Sequence, residues 1–235
     1  MKIMTFNIQH ALDYKNNVID TAFFAEKIRF HDADICGLNE VRGAGPIDGY
    51  TDQLKEINDN LGFNVFFAQA IKVEGTSPYG NALVSKFPFK SAETIHIPDV
   101  KIKMPGKNYE SRCVLKAIID CDGKEICILV CHMGLTPKQR KNAVKTICKI
   151  IDKIDLPIVL MGDFNTTPND KVLLPLYERL CDTDDKAEIN GFPTYASFDP
   201  KEKIDYIFYR GLELLNVKTI SEIYSDHFPI IAEFQ

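Results

Sequence analysis

Short apolar runs recur along the chain, and the spacing inside each run separates strands from helices. Residues 158–161 (Ile-Val-Leu-Met) are continuously apolar and β-branched at the start, the pattern of a strand buried on both faces. Gly162 is expected to break this run just before Asp163 and Asn165. If the backbone stays extended there, the carboxylate and the carboxamide face one side, and Phe164 faces the core from the other. Residues 2–8, 33–38, 63–70, 81–85, 92–97, 204–209, 213–220 and 228–234 read as further strands. Residues 112–120 and 125–131 read as a hairpin around Asp122-Gly123, a dipeptide suited to a tight turn.

Helical spacing appears in residues 18–30, where Ile19, Phe23, Phe24 and Ile28 share a face. It recurs in residues 51–61, with Gly62 as a stop signal, and in residues 170–180. Thr136-Pro137 opens another helix, with Thr as cap and Pro in the first turn, and Val144, Ile147, Cys148 and Ile151 form its core stripe. Residues 42–50, 75–80 and 98–110 are rich in Gly and Pro and read as loops; the last carries Lys101, Lys103 and Lys107. There are too many strands for one sheet. The economical solution is an α/β fold of four α-β-β-α layers, two packed mixed β-sheets flanked by helices, in a single domain spanning residues 1–235.

Composition narrows the chemistry. The net charge is −5, from 33 acidic and 28 basic residues, which gives no general footprint for nucleic acid or anionic membrane. The 7 cysteines include no Cys-x-x-Cys pair and mostly lie in apolar runs, so they read as reduced core residues of a cytoplasmic protein. No apolar run approaches membrane-spanning length, no basic-then-apolar leader precedes residue 2, and the chain is expected to be a soluble monomer.

The polar residues at strand ends carry the functional signal. Asn7, Glu40, Asn81, His132, Asp163, Asn165, Asp205 and the pair Asp226-His227 each lie within a residue or two of an expected strand terminus. Singly, each has an ordinary structural explanation: Asp163 and Asn165 fit a Gly-Asp turn with an Asn-Thr cap, and His132 fits a satisfied core histidine. Jointly they share one chemistry, because strand-end loops of layered α/β folds form the ligand crevice. Carboxylates and carboxamides suit a hard divalent cation, and histidine beside carboxylate supplies a base or an electrophile. The reaction implied is attack of water on phosphorus.

The segments Thr5-Phe6-Asn7-Ile8, Leu38-Asn39-Glu40, residues 79–88, Cys131-His132-Met133, Gly162-Asp163-Phe164-Asn165, residues 204–208 and residues 225–229 together resemble, in order, the endonuclease/exonuclease/phosphatase superfamily. The resemblance implies Mg²⁺ or Mn²⁺ held by Glu40, Asn7 and Asp226. It implies that Asp163 aligns or deprotonates the attacking water and that Asn165 donates to a phosphoryl oxygen. His227 would contact the scissile phosphate with Asp205 as its carboxylate partner, and His132 matches a second histidine present in only some branches. Arg112, Asn81 and Tyr79 would meet the substrate phosphate. Within that family the acidic charge, the absence of tryptophan and the lack of interleaved aromatic and basic residues weigh against nucleic acid. Few basic residues lie near the motifs, only Arg42, Lys72 and the 98–110 loop, which weighs against inositol polyphosphates. A small or lipid-type phosphodiester or phosphomonoester is expected. A nuclease is the alternative, and a family-shaped binding module without catalysis is the alternative of another class.

Overall fold

The computed structural model describes residues 1–186 and 193–235. The chain opens with β1 (Lys2–Asn7), a short hairpin of β2 (Leu12–Asp13) and β3 (Val18–Ile19), helix α1 (Thr21–Phe30) and β4 (Ile35–Arg42). Helix α2 (Gln53–Leu61) leads into β5 (Asn64–Val73), β6 (Ser77–Ser85) and β7 (Phe89–His96). Then come β8 (Cys113–Cys121), β9 (Lys124–Cys131), α3 (Pro137–Ile151) and β10 (Ile158–Asp163). The short helix α4 (Leu174–Tyr177) and β11 (Cys181–Asp182) precede the closing strands β12 (Asp205–Arg210), β13 (Leu214–Thr219) and β14 (Ile230–Phe234).

Two six-stranded mixed sheets result, in the orders β13-β14-β1-β4-β6-β5 and β11-β12-β10-β9-β8-β7. Each has one parallel pair joined by a helical crossover: β1 and β4 through α1, β9 and β10 through α3. Period-two alternation explains why both faces are buried. On β10, Val159 and Met161 face the opposing sheet, while Ile158 and Leu160 face the α3 and α4 side. Ile3, Ile35 and Leu83 of the first sheet meet Leu115, Val130 and Met161 of the second in the central core. Phe24, Ile28, Leu54 and Ile57 of α1 and α2 cover the outer face of the first sheet. Ala143, Val144, Ile147 and Ile151 of α3 cover that of the second. The architecture is the expected α-β-β-α sandwich. All cysteines are free, and Cys36, Cys113, Cys127, Cys131 and Cys148 are buried. Among the described residues no helix is long and apolar enough to cross a membrane.

Several element boundaries differ from the sequence reading, each for a local reason. Helix α1 starts at Thr21, because the Asp20 carboxylate accepts the Phe23 N–H at 2.9 Å as an N-cap, and Val18–Ile19 pairs with Leu12–Asp13 instead. The expected loop at residues 75–80 is mostly strand: β6 pairs from Ser77 onward, leaving a three-residue turn after Val73. Residues 170–180 hold a 3₁₀ turn (Lys171–Leu173) followed by the single-turn α4, with Pro175 in its first turn. Two deviations shape the site. Strand β4 runs past Leu38 to Arg42 through a bulge against β6, where Glu40 takes φ +62. Gly162 does not end β10. It continues the ladder opposite Tyr206 at φ +136, in a space where an added Cβ would sit 2.0 Å from the Cys131 carbonyl oxygen.

Candidate active site

The carboxyl ends of β1, β4, β9 and β10, with the residues leading into β12 and β14, converge on a cleft of about 420 Å³. Its walls include Glu40, Tyr79, Arg112, His132, Asp163, Asn165, Asp226 and His227. The bulge in β4 inserts an extra residue in the strand, which turns Glu40 out of the pleat and toward β1. The Asn7 amide nitrogen lies 3.1 Å from Glu40 Oε1 and 3.2 Å from Asp163 Oδ2, so one donor sits between two carboxylates. Tyr79 donates its hydroxyl to Glu40 Oε2 at 2.8 Å.

Asp163 is the centre. Its Oδ1 accepts the Asn165 N–H at 2.8 Å, which leaves Oδ2 toward the cleft. Burial, reinforced by the charges of Asp205 and Glu40 and opposed by His227, pushes its carboxyl up to about 7. Burial likewise pushes the Asp226 carboxyl up. Asn165 adopts φ +50, so the backbone is not extended past Asp163. Its amide reaches Met133 O at 3.0 Å and approaches Asp163 Oδ2 at 3.5 Å. Phe164 is fully buried against Tyr206 and Phe208, as the alternation implied, and anchors this turn with roughly 1.5–3 kcal/mol of apolar burial.

The two histidines sit in opposite electrostatic surroundings. His227 Nδ1 lies 2.8 Å from Asp205 Oδ2, and Nε2 faces Asp163 Oδ2 at 3.8 Å. Burial disfavours its charge, but the carboxylates of Asp205 and Asp163 outweigh that and raise its pKa to about 10. His132 is buried at the cleft wall, and burial with the charges of Arg112 and His227 lowers its pKa well below the ordinary value. The Arg112 guanidinium, a donor only, lies 3.4 Å from His132 Nδ1, which makes Nδ1 the acceptor and places the proton on Nε2. That N–H points at Asp163 Oδ2, 3.4 Å away. Arg112 also pairs with Glu110 at 3.1 Å, while its buried Nε has no partner. An unpaired buried donor beside a cleft suits an anion.

The donor set fits a cation. Ligand atoms of Glu40, His132 and Asp163 lie within 4.8 Å of one another. His132 and the Asn7 amide nitrogen both present N–H donors there, and Asn7 Oδ1 is turned to the Gln9 N–H. The oxygen ligands are therefore the carboxylates of Glu40 and Asp163, with Asp226 on the same cleft wall, a set that matches a hard divalent ion better than a softer one. The carboxylates of Glu40 and Asp163 converge on one amide donor, so their remaining oxygen lone pairs are available to a cation.

Ten of the eleven residues singled out from sequence gather around this centre, and one stands behind it. Asn81 is buried and does not line the cleft: its oxygen accepts from Asn39 at 2.9 Å and its amide donates to Cys113 O at 3.1 Å. Arg42 and Lys72 do not line it either; Arg42 stacks on Tyr50. Two residues were missed. Asn39 is fully buried, and its Oδ1 accepts the Asp163 N–H at 2.8 Å, tying the first sheet to the second. A polar residue inside an apolar strand beside Glu40 was the available signal. Tyr195 packs against His227 with the rings tilted by 43° and their centroids 4.8 Å apart, and nothing in its local sequence marks it.

The model of the endonuclease/exonuclease/phosphatase family matches residues 4–227. The uncharacterized protein YbhP of Escherichia coli (strain K12) is 22% identical, covering 99% of this chain and 95% of that one. An endonuclease/exonuclease/phosphatase from Beutenbergia cavernae superposes with a TM-score of 0.82 at 24% identity, covering 100% of this chain and 71% of that one. A mannosyl-6-phosphatase from Bacteroides thetaiotaomicron superposes with a TM-score of 0.76 at 17% identity, covering 100% of this chain and 99% of that one. These structural likenesses establish a shared fold. With the family model spanning nearly the whole chain, the chain belongs to the endonuclease/exonuclease/phosphatase family.

Proposed function

We propose that this chain is a divalent-metal-dependent phosphoesterase that hydrolyses a small phosphate ester by attack of water on phosphorus. Family membership supports a phosphoesterase or nuclease activity. The observation that carries the finer reading is the pairing of Asp163, raised to about 7, with the charged His227–Asp205 couple across one cleft.

In the proposed mechanism Asp163 Oδ2 takes a proton from the attacking water, with its other oxygen held by the Asn165 N–H. A carboxylate with a pKa near 7 is a stronger base than a free aspartate and is still substantially ionised at neutral pH. His227, held charged and oriented by Asp205, directs its Nε2–H toward a phosphoryl oxygen as charge builds there. Arg112, with its unpaired Nε, neutralises the phosphate, and neutral His132 orients Asp163. Glu40 and Asp226 would hold Mg²⁺ or Mn²⁺, joined by Asn7 once its amide is turned to present the oxygen, and the ion's chemistry is Lewis-acid polarisation of the phosphate and stabilisation of the leaving oxygen.

Substrate size follows from the walls. A cleft of about 420 Å³ lies in the range of small-molecule sites, and Arg112 and His227 suffice for one phosphate rather than several. The likeness to a mannosyl-6-phosphatase supports a small phosphomonoester or phosphodiester. A nuclease is the second reading, favoured by the partly exposed Tyr195 ring beside His227, on which a base could stack.

Release of nitrophenol from p-nitrophenyl phosphate and bis-(p-nitrophenyl) phosphate, beside a panel of sugar phosphates, phospholipids and oligonucleotides, tests both readings. Asp163→Ala and His227→Ala are each expected to remove hydrolysis while the fold is retained. Full activity in either variant overturns the mechanism.

A further inference from the structure

The acidic net charge conceals one strongly basic face. Helix α3 contains Lys138, Arg140, Lys141, Lys145 and Lys149 and no acidic residue, in a chain of net charge −5. The segment between β7 and β8 lies against this helix: Asn142 donates to Pro98 O at 2.7 Å, and Gln139 donates to Glu110 O at 2.9 Å. That contact sets Lys101 beside Lys138 and Lys141 of the helix, and Lys103 and Lys107 lie in the same segment. Arg140 is committed to Asp170 and to backbone carbonyls, but none of these lysines pairs with a carboxylate among the described residues. Lys103 lies 5.9 Å over the Tyr109 ring.

Apolar side chains stand out of the same face. Ile102 is 76% exposed, Met104 54% and Leu135 53%. Three hollows adjoin it. The first is the catalytic cleft, whose rim includes Asn108, Glu110 and Leu135. The second, of about 430 Å³, is bounded by Asp99, Lys101, Ile102, Lys138 and Lys141, three lysines to one carboxylate. The third, of about 470 Å³, shares Lys141 and is lined by Val144, Val172 and Pro175 with Lys145, Lys149 and Lys171, besides the Asp152–Arg179 ion pair.

From this arrangement we infer that the face formed by α3 and the 98–110 segment docks on an anionic lipid surface, with Ile102 and Met104 entering the headgroup region and the catalytic cleft at its edge. Charge complementarity selects the occupant. Unpaired lysines around protruding aliphatic side chains suit a surface that is anionic at its plane and apolar beneath it. A nucleic acid offers the charge but nothing for the aliphatic side chains; among the described residues the aromatic ring of the segment, Tyr109, is half-buried under Lys103, and the more exposed Tyr195 ring belongs to the catalytic cleft. The inference concerns binding only and stands whether or not the chain hydrolyses a phosphate ester.

Co-sedimentation of the full chain with phosphatidylcholine vesicles, and with vesicles that also contain phosphatidylglycerol, tests it, with chelator present so that hydrolysis plays no part. The protein is expected to sediment with the phosphatidylglycerol vesicles, to remain in the supernatant with phosphatidylcholine alone, and to be released by salt. Each neutralised lysine should weaken partitioning roughly fivefold, so Lys138→Gln with Lys141→Gln should lower it by about twenty- to thirtyfold. Ile102→Asp should lower it as well. These side chains are exposed, and unchanged melting temperatures confirm folded variants. Absence of sedimentation with either vesicle overturns the inference, as does sedimentation that these variants leave unchanged. Binding to a single-stranded oligonucleotide but not to vesicles also overturns it and assigns the face to nucleic acid.

Discussion

His227 Nδ1 and Asp205 Oδ2 lie 2.8 Å apart in a buried site, and this pair keeps the imidazole charged up to about pH 10. A raised folded-state pKa has a definite linkage sign. The protonated ring contributes stability that is complete below about 6.5 and is lost as pH rises through about 10. Asp205→Asn removes the main cause, so the His227 resonance in an NMR titration should shift at a much lower pH. Turnover should fall roughly 10²- to 10⁴-fold, the usual range for a misplaced acid or base group. An unshifted titration would show that the carboxylate does not set the charge.

Asn39 joins the sheets at the point where the reaction is proposed to occur. Asn39→Ala would leave the Asp163 N–H and Asn81 Oδ1 without partners in a buried site, at a cost of roughly 2–5 kcal/mol. Urea denaturation should show this loss, and turnover should fall beyond what lower stability explains, because the backbone carrying Asp163 is then less firmly held.

Gly162 is required by space and by backbone angle at once. An alanine Cβ would approach the Cys131 carbonyl to 2.0 Å at φ +136, so Gly162→Ala should destabilise by roughly 3 kcal/mol or more and lower the melting temperature by roughly 6–12 °C. A melting temperature equal to wild type would mean that β9 and β10 can part there freely.

Chelation should abolish hydrolysis, and Mg²⁺ or Mn²⁺ should restore it. At a concentration 100 times its dissociation constant the cation should stabilise the fold by about 2.7 kcal/mol. Glu40→Gln should lose most of that thermal shift while keeping the hydrogen bond to Tyr79. Equal shifts in the variant and the wild type would place the ion elsewhere.

The candidate site was more legible than the details of its surroundings. Strand-end polarity marked Glu40, Asp163, Asp205 and His227, because buried strands expose polar side chains only where they end. The hairpin at Asp122-Gly123 and the Thr136 cap were legible for a related reason: turn and cap chemistry acts within a few residues and needs no tertiary partner. Residues 75–80 looked like a loop because Gly80 and Pro78 disfavour strands in isolation. In the fold Gly80 is needed, since an added Cβ would meet the Ala68 carbonyl oxygen at 2.1 Å.

The sequence by itself determined the four-layer sandwich, through apolar runs buried on both faces and the helical stripes that cover them. It also determined which polar residues reach the strand ends. Tertiary structure alone decided that Glu40 is swung into the cleft by a bulge, that Asn39 joins the two sheets, that Asn81 stands behind the site, and that Tyr195 lies on His227. Each of these depends on residues distant in sequence meeting across strands or sheets, and local periodicity carries no record of such meetings. Lys101 and the α3 residues Lys138 and Lys141 lie in separate stretches of a chain of net charge −5, and only folding brings them around one hollow.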